Sequence, residues 1–79
     1  MEDQIRNILK EHGRLASDAA TLADNADLYQ AGMTSHSSVN VMLALEAEFD
    51  VEFPDRMLKR AVFGSVASIR AAIEELTAA

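Results

Sequence analysis

The chain has 79 residues, 49% of them apolar and 5% aromatic, with three glycines and one proline; this is one small ordered domain, and it is not built like a β-sandwich or barrel. Seven basic residues stand against thirteen acidic ones, a net charge of −6, which argues against nucleic acid and anionic membrane surfaces as partners, because phosphate contacts need clustered Lys and Arg. No cysteine is present, so disulfides, thiolate metal sites and a thiol nucleophile of the chain's own are excluded together.

Ile5, Ile8 and Leu9 share one helical face, with Glu2 and Asp3 before them and Lys10 after, as the helix dipole prefers. The spacing predicts a first helix over about residues 2–12, capped by Gly13. Residues 14–34 form a long connection holding Ser17, Asp18, Thr21, Asp24, Asn25, Asp27 and Gly32. Loops of this length in small domains are usually functional. Leu15, Leu22, Leu28 and Tyr29 are expected to pin it to the bundle.

A second helix is predicted from Ser35 or His36 to Phe49. Its wide apolar band marks it as a central helix packed on most sides. Thr34, Ser35, Ser37 and Ser38 supply hydroxyls where helical N–H groups lack partners. Pro54 breaks the chain and is expected to open a short third helix over about residues 54–61. Gly64 and Ser65 precede a last helix whose stripe is Val66, Ile69, Ile73 and Leu76, ending near Thr77. The sum is an all-α bundle of three longer helices and one short helix around a single core, one domain over 1–79.

The sequence offers no catalytic constellation. His12 and His36 are far apart and lack a helical partner, so no metal site is expected. Asp24-Asn25-Ala26-Asp27 fails as a calcium loop, since Ala26, Leu28 and Tyr29 stand where oxygen ligands and a glycine are needed. There is no phosphate loop, and the chain does not read as an enzyme. Charge is uneven: from Leu15 to Asp55 there is no Lys or Arg, and then Arg56, Lys59 and Arg60 follow together. The acidic segment creates a directional field that steers a basic partner. No apolar run approaches the roughly 20 residues of a membrane span. The acidic Met1-Glu2-Asp3 is unlike a signal or transit peptide, so the expected location is cytoplasmic. Taken alone, Ser35 is one of several cap hydroxyls.

The segment Asp27-Leu28-Tyr29-Gln30-Ala31-Gly32-Met33-Thr34-Ser35 resembles the D-L-x-x-x-G-x-D-S stretch of acyl and peptidyl carrier proteins. The following run, from Val39 to the Glu48-Phe49-Asp50-Val51-Glu52-Phe53-Pro54 ending, is similar to that family as well. The resemblance implies that Ser35 receives 4′-phosphopantetheine from coenzyme A, flanked by Gly32, Met33, Thr34 and His36. The arm's thiol would then hold an acyl or aminoacyl group as a thioester and deliver it to partner enzymes. The implied partners are a phosphopantetheinyl transferase, an acyl- or amino-acid-activating ligase and a downstream transferase or synthase, met by a monomeric carrier. The second helix is the family's docking helix, so Ser38, Glu46 and Glu48 are assigned to partner binding, with Arg56, Lys59 and Arg60 beyond it.

Two residues beside the serine depart from the family pattern. Thr34 stands where an Asp is usual, and His36 where a Leu is usual. A protonated His36 is expected to pair with the phosphodiester. The short third helix departs too. Fatty-acid carriers are usually acidic there, whereas Arg56, Lys59 and Arg60 would repel the basic docking surfaces of fatty-acid enzymes. This points to a specialised free-standing carrier of an unusual acyl chain, a polyketide unit or an amino acid. Thr34 and His36 also support an alternative: an unmodified carrier-like adaptor that binds a partner through the second helix.

Overall fold

The computed structural model describes residues 1–16 and 18–78; Ser17, one of the polar residues of the long connection, lies outside them, as does Ala79. Three α-helices and one 3-10 turn follow in chain order: α1 (Glu2–His12), α2 (Ser35–Phe49), the turn Asp55–Met57, and α3 (Val66–Thr77).

Helix α1 forms as its spacing predicts and buries Ile5, Ile8 and Leu9, with Glu2 and Asp3 in its first turn. Gly13 is its C-cap, but with an ordinary right-handed φ of −76°; the left-handed residue is Arg14, at φ 56°. Glycine is needed at 13 for space, since a Cβ there would sit 2.7 Å from the Leu9 carbonyl oxygen. Helix α3 buries Val66, Ile69, Ala72 and Ile73. Ser65 starts it with a capping box: its hydroxyl accepts the Ser68 N–H at 3.1 Å, and the Ser68 hydroxyl accepts the Ser65 N–H at 3.1 Å.

Two expectations are corrected. Helix α2 is not packed on most sides. It buries only Ser37, Val41 and Leu45, while Val39 and Leu43 remain 50% and 54% exposed. It is α1 that packs against both other helices. The wide apolar band of α2 therefore serves two faces, one for the core and one for the surface. The short third helix shrinks to the 3-10 turn Asp55–Met57. Only Met57 of that stretch reaches the core, and Arg56, Leu58, Lys59 and Arg60 are all exposed. Without a second buried anchor one turn onward, a longer helix there has nothing to hold it.

The core joins Ile5, Leu9, Leu28, Val41, Leu45, Ile69 and Ile73, each at 0% exposure. Burying each such side chain contributes about 1.5–3 kcal/mol against the entropy of ordering the chain. Phe53 and Phe63 meet edge to face, 5.2 Å between ring centroids, and so tie the link between the 3-10 turn and α3 to the chain before the turn.

The long connection is well tied. Leu28 is fully buried, and Leu15, Leu22 and Tyr29 pack on the core as expected. Backbone bonds run from Ala16 N–H to the Ala31 carbonyl at 2.7 Å and from Leu28 N–H to the Gly64 carbonyl at 2.7 Å. The Ala67 N–H reaches back to the Asp24 carbonyl at 2.8 Å. Arg6 is the main side-chain anchor. Its Nη1 donates to the carbonyls of Ala19 at 2.6 Å and Leu22 at 2.7 Å, and its Nη2 donates to Asp24 Oδ1 at 2.6 Å. Burial alone would lower the Arg6 pKa, but its bonds to Glu2 and Asp24 outweigh that and raise it. The Asp24 carboxyl is held below its ordinary value by hydrogen bonding to Glu2 and then to Arg6.

Candidate functional site

The long connection ends at Gly32, whose φ of +121° suits glycine, and whose missing Cβ leaves room for the Ala16 backbone nitrogen 3.0 Å away. This crossing sets the angle at which the chain enters α2. Met33 follows with its side chain in the core, 3% exposed, so it holds the entry from beneath and offers no surface contact. Thr34 is the N-cap. Its Oγ1 accepts the Ser37 N–H at 3.0 Å, and the Ser37 hydroxyl accepts the Thr34 N–H at 2.8 Å. Ser37 is fully buried and its bonds are all internal to this box.

Ser35 is therefore not the cap. It is the first residue of α2, it is exposed, and its hydroxyl makes no hydrogen bond to any described residue. A hydroxyl in that position stands beside the free N–H groups and positive dipole end of a helix, where an attached phosphate is stabilised. His36 is exposed one residue further round the helix, in register with Asn40 and Leu43.

A groove of about 370 Å³ opens beside Ser35. One wall is α2, through Ser38, Val39 and Met42. The other is the segment after the 3-10 turn, through Leu58, Lys59 and Arg60, with Phe63 and Tyr29 closing it. The Arg60 guanidinium lies 3.9 Å from the centroid of the Tyr29 ring. His36 is not among the lining residues. The site fits a group attached through a phosphate to Ser35: a free hydroxyl, a helix start, and two cations in the adjoining groove.

The family model for the phosphopantetheine attachment site matches residues 3–76. The chain belongs to this family of carrier proteins. It is 48% identical over 69 residues to an aminoacyl carrier protein of Agrobacterium fabrum, an alignment covering 87% of this chain and 83% of that one. Its fold superposes with a TM-score of 0.90 on the carrier protein from Agrobacterium tumefaciens crystallised with an engineered Bradyrhizobium japonicum glycine:carrier protein ligase and AMP. The identity is 44%, covering 94% of this chain and 99% of that chain. It also matches, at TM-score 0.76 and 30% identity over 90% of this chain and 95% of the other, a structure of the Bradyrhizobium japonicum ligase complexed with glycylated carrier protein. The carrier holds an acyl or aminoacyl group as a thioester on 4′-phosphopantetheine and hands it to enzymes; it is their substrate and not itself a catalyst.

The residues expected to meet partners are scattered. Ser38 is half-buried in the α2 wall of the groove, whose other wall carries Lys59 and Arg60. Glu48 is exposed and accepts from Gln4 Nε2 at 2.9 Å, while Arg56 pairs with Glu75 at 3.0 Å. Glu46 plays a structural part, because its Oε2 accepts the Phe53 N–H at 2.9 Å and ties the end of α2 to the segment that follows. Sequence reasoning missed Val39 and Leu58, half-exposed apolar residues that line the groove, and Leu43, a third that lies outside it in a depression shared with Ile8 and His12 of α1. The signal was present in the excess width of the apolar band on α2, which no single packed face could use. Among the described residues, no helix is long and apolar enough to cross a membrane.

Proposed function

We propose that Ser35 is the residue that bears the 4′-phosphopantetheine arm, and that the arm's cargo is an amino acid, glycine or one of similar size. The observation that carries the attachment point is the division of labour at the start of α2. Thr34 caps the helix, Ser37 completes the box, and the Ser35 hydroxyl is left exposed and unengaged. The amino-acid cargo is supported by the likeness to carriers crystallised with glycine:carrier protein ligase. It is also supported by the basic Arg56-Lys59-Arg60 stretch, which suits a ligase surface unlike the basic ones of fatty-acid enzymes.

When bound, the arm supplies a thiol that this cysteine-free chain lacks. The chain's own residues do the rest. Gly32 and the Thr34–Ser37 box fix the direction in which Ser35 projects, and Met33 anchors the turn in the core. Val39 and Ser38 present a surface in the groove beside Ser35, and Leu43 and Glu48 present a second one further along α2, for the ligase and for the enzyme that takes the cargo. His36 lies on the Leu43 side and is proposed to meet the phosphopantetheinyl transferase, in place of the leucine usual there. The carrier works as a monomer in the cytoplasm, where coenzyme A and a loading ligase meet it.

The test is stepwise loading. The protein is treated with coenzyme A and a broad-range phosphopantetheinyl transferase, then with a glycine-activating ligase, ATP and glycine, and intact mass is read after each step. The expected result is one arm and then one glycyl group, both absent from Ser35→Ala. An arm without a glycyl group, with a long-chain acyl ligase succeeding instead, overturns the amino-acid reading.

A further inference from the structure

Lys59 and Arg60 share with Lys10 and Arg14 the lack of an ion-pair partner among the described residues, whereas Arg6, Arg56 and Arg70 are paired. They alone of the four stand in the groove beside Ser35. Arg60 is also held in place. Its guanidinium stacks 3.9 Å from the centroid of Tyr29, a half-buried ring whose own backbone N–H is tied to Asp27 Oδ1 at 2.9 Å. Stacking uses the face of the guanidinium and leaves its N–H edges directed outward, the geometry that grips a phosphate by two hydrogen bonds.

Two uncompensated cations, one of them preorganised, therefore share a groove with the hydroxyl to which a phosphodiester is to be attached. We propose that Arg60, assisted by Lys59, binds the phosphodiester of the arm on Ser35 and lays the adjoining segment over Val39, Met42 and Leu58. This rests on Ser35 being the attachment point. The two residues expected to greet a partner thus first serve the carrier's own arm. The same cations repel the ammonium group of an aminoacyl cargo, so the groove retains the anionic end and leaves the loaded end outside, within reach of the next enzyme.

The experiment uses the isolated arm-bearing protein, with no partner enzyme present. Attachment is first verified by intact mass, and ³¹P and ¹H–¹⁵N NMR spectra are then compared for the wild type and the double variant Lys59→Gln/Arg60→Gln. In the wild type, attaching the arm should shift the amide signals of Val39, Met42 and Leu58. Raising salt from about 0.1 M to about 1 M, which shortens the screening length from about 10 Å to about 3 Å, should move the ³¹P signal. The double variant should lose both effects, and Tyr29→Leu should weaken them. Identical ³¹P signals in wild type and double variant, with amide shifts confined to the neighbours of Ser35, overturn the proposal while leaving the attachment intact. Failure to gain the arm's mass overturns the attachment itself. The salt series on the wild type needs no variant to fold.

Discussion

The Thr34 hydroxyl accepts the Ser37 N–H at 3.0 Å, and that bond makes Thr34 the cap of α2 and leaves the neighbouring Ser35 hydroxyl out of the capping box. The cap at 34 is what an aspartate would also provide, since both side chains present an oxygen to the N–H at the third helical position. The change from the family's usual Asp thus keeps the helix start and drops only the carboxylate.

Thr34→Ala should lower stability by about 1 kcal/mol, the usual cost of losing a cap, whereas Thr34→Asp should be close to neutral. Ser35→Ala should change stability by less than about 0.5 kcal/mol, because its hydroxyl bonds to nothing described. Urea unfolding midpoints check all three. A large loss on Ser35→Ala would mean that Ser35, not Thr34, carries the cap.

Arg6→Met removes charged hydrogen bonds to two carbonyls and to Asp24, and should cost roughly 2 kcal/mol. Hydrogen exchange should quicken over residues 18–24 more than in α3. Part of the loss depends on pH in a direction fixed by Asp24. Its folded pKa is depressed below the ordinary 3.8, so its contribution is fully present above that value and disappears as pH falls through the lower folded one. The gap between wild type and Arg6→Met should stay constant down to about pH 4 and narrow below it. A gap that widens in acid contradicts this.

Glu46 and Glu48 should behave differently although they sit two positions apart. Glu46→Ala leaves the Phe53 N–H without its acceptor and should cost about 1–2 kcal/mol. Glu48→Ala breaks only an exposed bond to Gln4 and should cost less than about 0.5 kcal/mol. Thermal unfolding of the two variants side by side reads the difference.

Gly32→Ala places a Cβ at a φ of +121°, 3.0 Å from the Ala16 nitrogen. The strain should cost about 1–3 kcal/mol. Because the Ala16–Ala31 crossing sets the entry to α2, the variant should also take up the arm more slowly than wild type under equal conditions. Equal rates and equal stability would show that the crossing has no such role.

What the sequence made legible was what repeats locally. Ile5, Ile8 and Leu9 declared α1, the stripe through Ile69 and Ile73 declared α3, and the spacing of Gly32, Ser35, Phe49 and Pro54 carried the family resemblance. What it hid was tertiary. Arg6 sits on a surface-facing step of α1, and nothing local says that its guanidinium will gather carbonyls from Ala19 and Leu22 across the fold. Glu46 resembles its acidic neighbours until Phe53 folds back to it. The run from Pro54 to Ala61 has the composition of a helix, yet Met57 is its only core anchor, so one turn forms and stops. On α2 the apolar excess was visible, but only the structure divides Val41 and Leu45, which are buried, from Val39 and Leu43, which are not.

The most direct test is made on protein drawn from the cells that produce it. Tandem mass spectrometry of the peptide spanning Met33 to Asn40 should find a phosphopantetheinyl group on Ser35, bearing in part a small aminoacyl ester of its thiol. The same peptide recovered wholly unmodified, or modified at Thr34, Ser37 or Ser38 with Ser35 bare, would contradict the assignment of the tether.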